Sequence, residues 1–340
     1  NDYLGLATHA DIRRAMSAAA ERYGVGSGAA HLVTGHSPEH HALEEELAEF
    51  VGREKALLFS TGYMANLGVA SALLTRSDAV FEDRLNHASL LDAGLASGAQ
   101  FTRYAHGNTN ELQQKLVDST ARRKLVMSDG VFSMDGDIAP LNMLANICQQ
   151  QQAILMVDDA HGFGVVGTHG QGSVHAAGLN NKEVPIYMAT LGKAVGVSGA
   201  FVAGSSALIE TLIQKARTYI YTTASSPAIA AATRAALRLV KKENDRRERL
   251  HSLVSRFRFG AEQLDLPLMP SSTAIQPILF GKESSALAAS EALLKAGFLV
   301  SAIRPPTVPA GTSRLRITLS AAHTETEIDR LLNALGQVAV

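Results

Sequence analysis

The chain has 340 residues, 31 Lys and Arg against 32 Asp and Glu, a formal net charge of −1 and 46 % hydrophobic residues. That balance lacks the basic excess of a nucleic-acid binder and the low hydrophobicity of a disordered chain, and the length suits one large α/β domain with a smaller companion. No apolar run is long enough to span a bilayer, nothing at the start resembles a signal peptide, and the single Cys148 excludes an internal disulfide and a four-cysteine zinc site, which points to a reducing compartment, the cytoplasm.

Asn1-Asp2-Tyr3-Leu4-Gly5-Leu6 reads like the interior of a protein, so a further N-terminal segment is expected. Short apolar, β-branched runs then alternate with helical patterns. The expected strands are Ala56–Phe59, Ala79–Glu82, Gln100–Tyr104, Lys124–Met127, Ala153–Val157, Pro185–Thr190 and Ala200–Ala203, with helices over His40–Val51, Met64–Leu74 and Leu141–Gln151. Alternation of this kind predicts βαβ units and a largely parallel sheet, whose central strands are apolar on both faces as Ala153–Val157 is. A long helical stretch is expected from Pro227 to about Leu264. It is followed by strand Ala274–Phe280, helix Ser284–Ala296, strands Leu299–Ala302 and Ser313–Thr318, and helix Thr324–Val338. The chain is therefore read as a large domain, 1–242, and a small α+β domain, 243–340.

In open α/β sheets, ligands gather at the carboxyl ends of the strands. Asp158 and Asp159 end the apolar run Ala153–Val157 and are followed by Ala160-His161-Gly162. A carboxylate there needs a partner; it is either a capped strand end or a functional group. Lys193 follows the next apolar strand among small and apolar neighbours. A lone Lys commonly snorkels to the surface, but burial would make it an amine nucleophile. The pairing of the two favours function, because pyridoxal phosphate needs a lysine for its Schiff base and an acid to keep its ring nitrogen protonated.

Ser60-Thr61-Gly62-Tyr63 is a glycine turn feeding a helix start, a general anion site. Gly24-Val25-Gly26-Ser27-Gly28 follows no strand, which argues against a nicotinamide site. His87 begins a helix and is either structural or stacked on a flat ring. His40 and His41 are expected at the surface; His40 and Glu44 are four apart with no third ligand in view, so no metal is expected.

Taken in order, Asp158-Asp159-Ala160-His161-Gly162, Thr190-Leu191-Gly192-Lys193 and Val197-Ser198-Gly199-Ala200 resemble the α-oxoamine synthase family. Asn1–Leu6, Gly26-Ser27-Gly28, Gly130–Asp137 and Ser320-Ala321-Ala322-His323-Thr324 extend the resemblance over essentially the whole chain. It implies the fold-type I, aminotransferase-like α/β architecture, pyridoxal phosphate as cofactor, and decarboxylative condensation of an amino acid with an acyl thioester. Within the family, Ile303–Thr312 is similar to the member that joins L-alanine to a pimeloyl thioester, carried by CoA or acyl carrier protein, in biotin synthesis.

The resemblance implies that Lys193 is the Schiff-base lysine, Asp158 the partner of the ring nitrogen, His161 that of the ring hydroxyl, and His87 the stacked imidazole. Gly62 and Tyr63 then bind phosphate through backbone, with Thr190 adding a hydroxyl. Ser133 lies near the ring hydroxyl and the substrate carboxylate, Arg316 binds that carboxylate with Asn1 as helper, and Thr307 contacts substrate. Thr222 and Thr223 reach the phosphate of a second copy, implying a homodimer with shared sites. Two departures are Asp129, where the family often has Glu, and Gly26-Ser27-Gly28-Ala29-Ala30; neither is expected to touch the Lys193–Asp158 pair. Rival readings are a sister synthase using glycine or another acyl chain, an aminotransferase or lyase, and the effector domain of a transcription regulator, which the lack of a basic helix-turn-helix disfavours. A cysteine desulfurase is disfavoured because Cys148 falls in a core-like helix.

Overall fold

The computed structural model describes residues 1–338. The chain forms two compact units. The larger comprises Leu6–Val131 and Ala139–Lys242; the smaller comprises Asn1–Gly5, Phe132–Ile138 and the chain from Glu243 onward.

The larger unit is built on seven strands: β1 Lys55–Phe59, β2 Ala79–Asp83, β3 Gln100–Tyr104, β4 Lys124–Asp129, β5 Ile154–Asp158, β6 Ile186–Thr190 and β7 Ala200–Gly204. Their order in the sheet is β1-β7-β6-β5-β4-β2-β3. β3, β2, β4, β5 and β6 run parallel, while β7 is antiparallel to both β6 and β1. The reversal follows from connection length: Leu191–Gly199 is too short for a crossover helix, so β7 must fold back beside β6. That same connection carries Lys193.

Side chains from β1, β2, β4, β5, β6 and β7, among them Leu57, Val80, Met127, Met156, Met188 and Val202, pack with Ala65, Val69 and Ala70 of the helix Gly62–Leu73 in one buried core. Each fully buried aliphatic side chain of this size stabilises the fold by about 1.5–3 kcal/mol relative to exposure. The strand ends next to the site are therefore held by the most buried part of the chain.

The smaller unit contains β8 Ile275–Gly281, β9 Ser301–Ile303 and β10 Ser313–Thr318 in an antiparallel sheet of order β8-β10-β9, with helices Asn244–Gln263, Glu283–Lys295 and Glu325–Gln337. The expected continuous helix from Pro227 to Leu264 is two, Pro227–Lys242 and Asn244–Gln263, broken at Glu243, whose φ of −98° and ψ of 73° are not helical.

The expected large domain, 1–242, also loses two segments to the smaller unit. The Ala321 N–H donates to the Tyr3 carbonyl and the Ser320 hydroxyl to the Asp2 carbonyl, while the Ser271 and Thr273 hydroxyls both donate to the Gly136 carbonyl. These bonds join residues far apart in the chain, and no local pattern announces them.

Candidate active site

A cavity of about 150 Å³ opens at the carboxyl ends of β5 and β6, lined by Gly62, Tyr63, His87, Ser89, Asp129, Asp158, Ala160, His161, Met188, Thr190 and Lys193. Asp158 and Met188 are paired across the parallel strands, so Asp158 and the residues after Thr190 meet at one sheet end. Of the cofactor residues named from the sequence, Gly62, Tyr63, His87, Asp158, His161, Thr190 and Lys193 all face this space.

Asp158 is 3 % exposed. Its Oδ1 accepts the Ala160 N–H at 3.0 Å and its Oδ2 accepts Asn66 Nδ2–H at 2.8 Å. The half-buried Lys193 has its Nζ 2.9 Å from His161 Nε2. His87 caps the helix Ala88–Ala96; its Nδ1 accepts the Ser89 N–H at 3.2 Å and lies 2.8 Å from the Ser89 hydroxyl. Thr190 donates its hydroxyl to the Gly199 carbonyl at 3.0 Å. Gly62 and Tyr63 form the first turn of the helix Gly62–Leu73, where backbone N–H groups lack intrahelical acceptors, and the Thr61 side chain caps Met64. The Tyr63 phenol bonds Asp92, so Tyr63 offers this cavity its backbone.

Asp159 turns the other way. Its Oδ1 accepts the Ser173 hydroxyl at 2.7 Å, and its Oδ2 accepts the Ser173 N–H at 2.7 Å and the Tyr187 phenol at 3.0 Å. Burial pushes its carboxyl up to about 6, opposed by these donors. A Cβ at Gly172 would lie 1.9 Å from Asp159 Oδ2 and one at Gly162 2.1 Å from Oδ1, so glycine is required at both. Asp159 is the structural carboxylate of the pair; it locks the turn that aims Asp158.

Asp129 corrects the expectation that it stays clear of the Lys193–Asp158 pair. It lines the same cavity, and its Oδ2 accepts the His87 N–H at 2.7 Å. Burial raises its carboxyl well above the usual range and the charge of Asp158 adds to this, while the His87 N–H and Lys193 oppose it. Asn86 braces the strand end by accepting the Asp129 N–H at 3.1 Å and donating to the Met127 carbonyl at 2.8 Å. Asn66 and Ser89 were also not anticipated. The only sequence signals were a polar residue inside the otherwise apolar helix Gly62–Leu73 and a serine just past His87.

A second group of named residues gathers in the smaller unit. Arg316, on β10, donates Nε–H to the Ser133 carbonyl at 2.6 Å and Nη1–H to Thr318 Oγ1 at 2.8 Å and to Asn1 Oδ1 at 3.2 Å. The Tyr3 phenol also reaches Asn1 Oδ1, at 3.3 Å, and burial pushes that phenol up to about 12. Asn1, Ser133 and Arg316 thus meet, although two of them are distant from Arg316 in the chain. Thr307 is exposed on the loop between β9 and β10, where its N–H bonds the Arg304 carbonyl at 3.1 Å.

Thr222 and Thr223 do not line the cavity of their own chain. Thr223 forms an antiparallel bridge with Ala30, and the Ser27 hydroxyl bonds the Ala224 carbonyl at 2.6 Å, so the glycine stretch 26–30 is paired with this segment. Cys148 is buried, and burial pushes its thiol up to about 12, as an inert core cysteine requires.

Of the histidine pair, His41 is exposed as expected, and the expectation for His40 is corrected. His40 is fully buried: its Nδ1 accepts the Ser37 N–H at 3.0 Å and its Nε2 lies 2.8 Å from the Ser225 carbonyl. His40 therefore makes no ligand pair with Glu44; it is His36 and His41 that each place a ring nitrogen, with a Glu44 carboxylate oxygen, within 4.8 Å of one another. All three have protein partners: His36 Nδ1 is 2.9 Å from His31 Nδ1, His41 lies 3.3 Å from Glu45, and Glu44 Oε1 accepts the Leu58 N–H at 3.0 Å.

The model for class I and II aminotransferases matches residues 1–335. An 8-amino-7-oxononanoate synthase of Cellvibrio japonicus is 62 % identical over 338 residues, covering 99 % of this chain and 85 % of that protein. One from Thioalkalivibrio sulfidiphilus is 63 % identical over 338 residues, covering 99 % and 86 %. The chain belongs to the class I and II aminotransferase family, in its α-oxoamine synthase branch.

Two solved members of this branch resemble the chain throughout. A serine palmitoyltransferase of Sphingomonas wittichii has a TM-score of 0.95 at 32 % identity, covering 99 % of this chain and 85 % of its own. An 8-amino-7-oxononanoate synthase of Francisella tularensis has a TM-score of 0.87 at 32 % identity, covering 99 % and 95 %. The fold-type I architecture expected from the motifs is the one observed. Like its relatives, this α-oxoamine synthase is a pyridoxal-phosphate-dependent acyltransferase, and the donor set fits that cofactor. The cavity offers a buried acid, an amine 2.9 Å from an imidazole, and a helix start with an adjacent hydroxyl.

Proposed function

We propose that the chain condenses L-alanine with a pimeloyl thioester, from CoA or acyl carrier protein, to give 8-amino-7-oxononanoate, CO2 and the free thiol carrier. The observation that carries the proposal is the Lys193–His161–Asp158 grouping at the ends of β5 and β6, in a chain more than 60 % identical to 8-amino-7-oxononanoate synthases over nearly its whole length. Purified protein given pyridoxal phosphate, L-alanine and pimeloyl-CoA should form a product of that mass. Turnover only with glycine, or only with another acyl chain, would assign a sister synthase.

When bound, pyridoxal phosphate supplies an electron sink for negative charge at the amino-acid α carbon. Lys193 Nζ would hold the cofactor covalently, and its free amine would take the α proton and later return one. His161 Nε2, within hydrogen-bond distance of that amine, orients it. Asp158 would keep a proton on the ring nitrogen, and the His87 imidazole would stack on the ring. The Gly62 and Tyr63 N–H groups would bind the phosphate, joined by the Thr190 hydroxyl once it turns from the Gly199 carbonyl. Arg316 binds the alanine carboxylate, held in position by the Ser133 carbonyl, Thr318 and Asn1, and Thr307 contacts the substrate.

Arg316→Lys keeps the charge but loses the planar fork that suits a carboxylate. Loss of one charged hydrogen bond, about 1.5–3 kcal/mol, should raise the alanine KM about 10-fold or more. Cofactor affinity and the acyl-thioester KM should change less. A raised acyl-thioester KM with alanine unaffected would reverse the two substrate ends and turn attention to Arg304–Thr307.

The working unit is a homodimer with shared sites. Support comes from Thr222 and Thr223, which lie off their own cavity beside exposed Tyr221 and the paired 26–30 stretch, and from exposed Val25, Leu32 and Val33 nearby in sequence. Exposed apolar groups of this kind mark association surfaces. Mixing Lys193→Ala with a Thr222→Ala, Thr223→Ala double variant should give hybrids in which one site carries neither lesion, so activity should rise above both parents. No recovery despite measured subunit exchange would overturn sharing. Among the described residues no helix is long and apolar enough to cross a membrane, and the single buried cysteine suits the reducing cytoplasm.

A further inference from the structure

Asn66 is the one strongly polar side chain deep in the helix Gly62–Leu73, and it is fully buried. Its Nδ2 donates to two acceptors, Asp158 Oδ2 at 2.8 Å and Ser89 Oγ at 2.8 Å. Its Oδ1 is buried without a hydrogen-bond partner in the protein. Leaving an amide oxygen unpaired in a core is unfavourable, so the orientation is selected by the donor side. An amide turned the other way would set oxygen against the Asp158 carboxylate.

The direction of the remaining bonds follows. Ser89 Oγ accepts from Asn66, so its own hydrogen is available for His87 Nδ1, 2.8 Å away. The Ser89 backbone N–H donates to the same nitrogen. Nδ1 is thus an acceptor, and the neutral imidazole carries its proton on Nε2. Four residues from three elements form one directed unit: Asn66 donates to Asp158 at one end and, through Ser89, sets the tautomer of His87 at the other.

We propose that Asn66 is a positioning residue that couples Asp158 to His87, fixing the carboxylate's direction and the imidazole's neutral Nε2–H form together. The inference rests on the reading of Asp158 and His87 as cofactor contacts and adds a residue to it. Neutrality matters because an imidazolium would face a protonated ring, whereas a neutral imidazole can stack on it. His87 is held below the usual imidazole range, first by desolvation; Asp158 and, on its own helix, Asp92 pull it up, and Lys193 pulls it down. Asp129 faces it through the His87 N–H.

The test uses the holoenzyme with 15N-labelled histidine. The His87 side-chain signals are assigned by their loss in His87→Gln, and tautomer and protonation midpoint are read against pH. Ser89→Ala removes the hydroxyl donor to Nδ1 and spares the Asn66–Asp158 bond. Asn66→Ala unpins the hydroxyl. Asn66→Asp replaces donor by acceptor, so the Ser89 hydroxyl turns to the new carboxylate. The His87 midpoint should rise in all three, most in Asn66→Asp, by about one pH unit, or 10-fold in proton affinity. In Asn66→Asp, kcat should fall about 10- to 100-fold while the alanine KM moves less than about threefold.

A wild-type His87 signal in both Asn66 variants, with or without a loss of kcat, would overturn the coupling and leave Asn66 a packing residue. If the Asn66 variants do not fold, Ser89→Ala decides alone: a raised midpoint supports the unit and an unchanged one overturns it. Failure of borohydride to fix cofactor on Lys193 would instead defeat the functional reading, and the His87 signal of the cofactor-free chain would still decide the coupling.

Discussion

Lys193→Ala should lower kcat by about 10⁴-fold, the upper end of what a positioned general base contributes, because one amine both anchors the cofactor and moves the α proton. The connection Leu191–Gly199 leaves no substitute. Its other side chains are aliphatic apart from the exposed Ser198, and the His161 imidazole cannot replace the amine as the covalent anchor. Reduction of wild-type protein with borohydride should add a pyridoxyl mass to the peptide containing Lys193 and to no other. The Ala variant should still fold, since Lys193 contributes no side chain to the buried core. A pyridoxyl mass on another lysine, or turnover within 10-fold of wild type, would remove Lys193 from the chemistry.

Asp158→Asn should be the next most damaging change. The carboxylate receives N–H donors at both oxygens, from Ala160 at 3.0 Å and Asn66 at 2.8 Å. An asparagine has one oxygen, so either orientation sets its NH2 against one of those donors. The variant also loses the negative charge that holds a proton on the ring nitrogen. Loss of one preorganised electrostatic contact of this kind lowers kcat by about 10²–10³-fold. Cofactor is expected to stay bound, because the proposed phosphate contacts at Gly62, Tyr63 and Thr190 and the proposed bond to Lys193 do not involve Asp158. Steady-state kinetics with alanine and pimeloyl-CoA, beside cofactor content from absorbance, separate the two effects. An Asn variant with kcat within about threefold of wild type would refute the role.

The sequence by itself determined the strands and most of the polar residues that gather at their ends. All seven strands of the larger sheet were legible to within one or two residues, since each is a short β-branched or apolar run between turn signals: Gln100–Tyr104 is observed with those bounds, and Lys124–Met127 extends to Asp129. Asp158 and Lys193 were legible because a charged residue at the end of a buried strand, or in the short connection after one, is conspicuous. The α-oxoamine synthase motifs then named the neighbours that pattern alone leaves ambiguous, His87 and His161 among them.

Tertiary structure alone decided the rest, because it depends on contacts between residues far apart in the chain. Gly172 has a φ of 101°, and Asp159 Oδ2 and the Tyr187 phenol, from residues elsewhere in the chain, occupy the space of a Cβ there. Asn1–Gly5 joins the smaller unit through bonds from distant residues, Ser320 and Ala321 to the carbonyls of Asp2 and Tyr3 and Arg316 to the Asn1 side chain. His40 looks like a surface residue until the Ser225 carbonyl is found against its Nε2. Asn66 reads as one polar residue in an apolar helix, and its bonds to Ser89 and Asp158 appear only once the helix is laid on the sheet. Periodicity records which face of an element is buried; it carries no record of which side chain waits opposite, and hydrogen-bond partners are chosen by that distance.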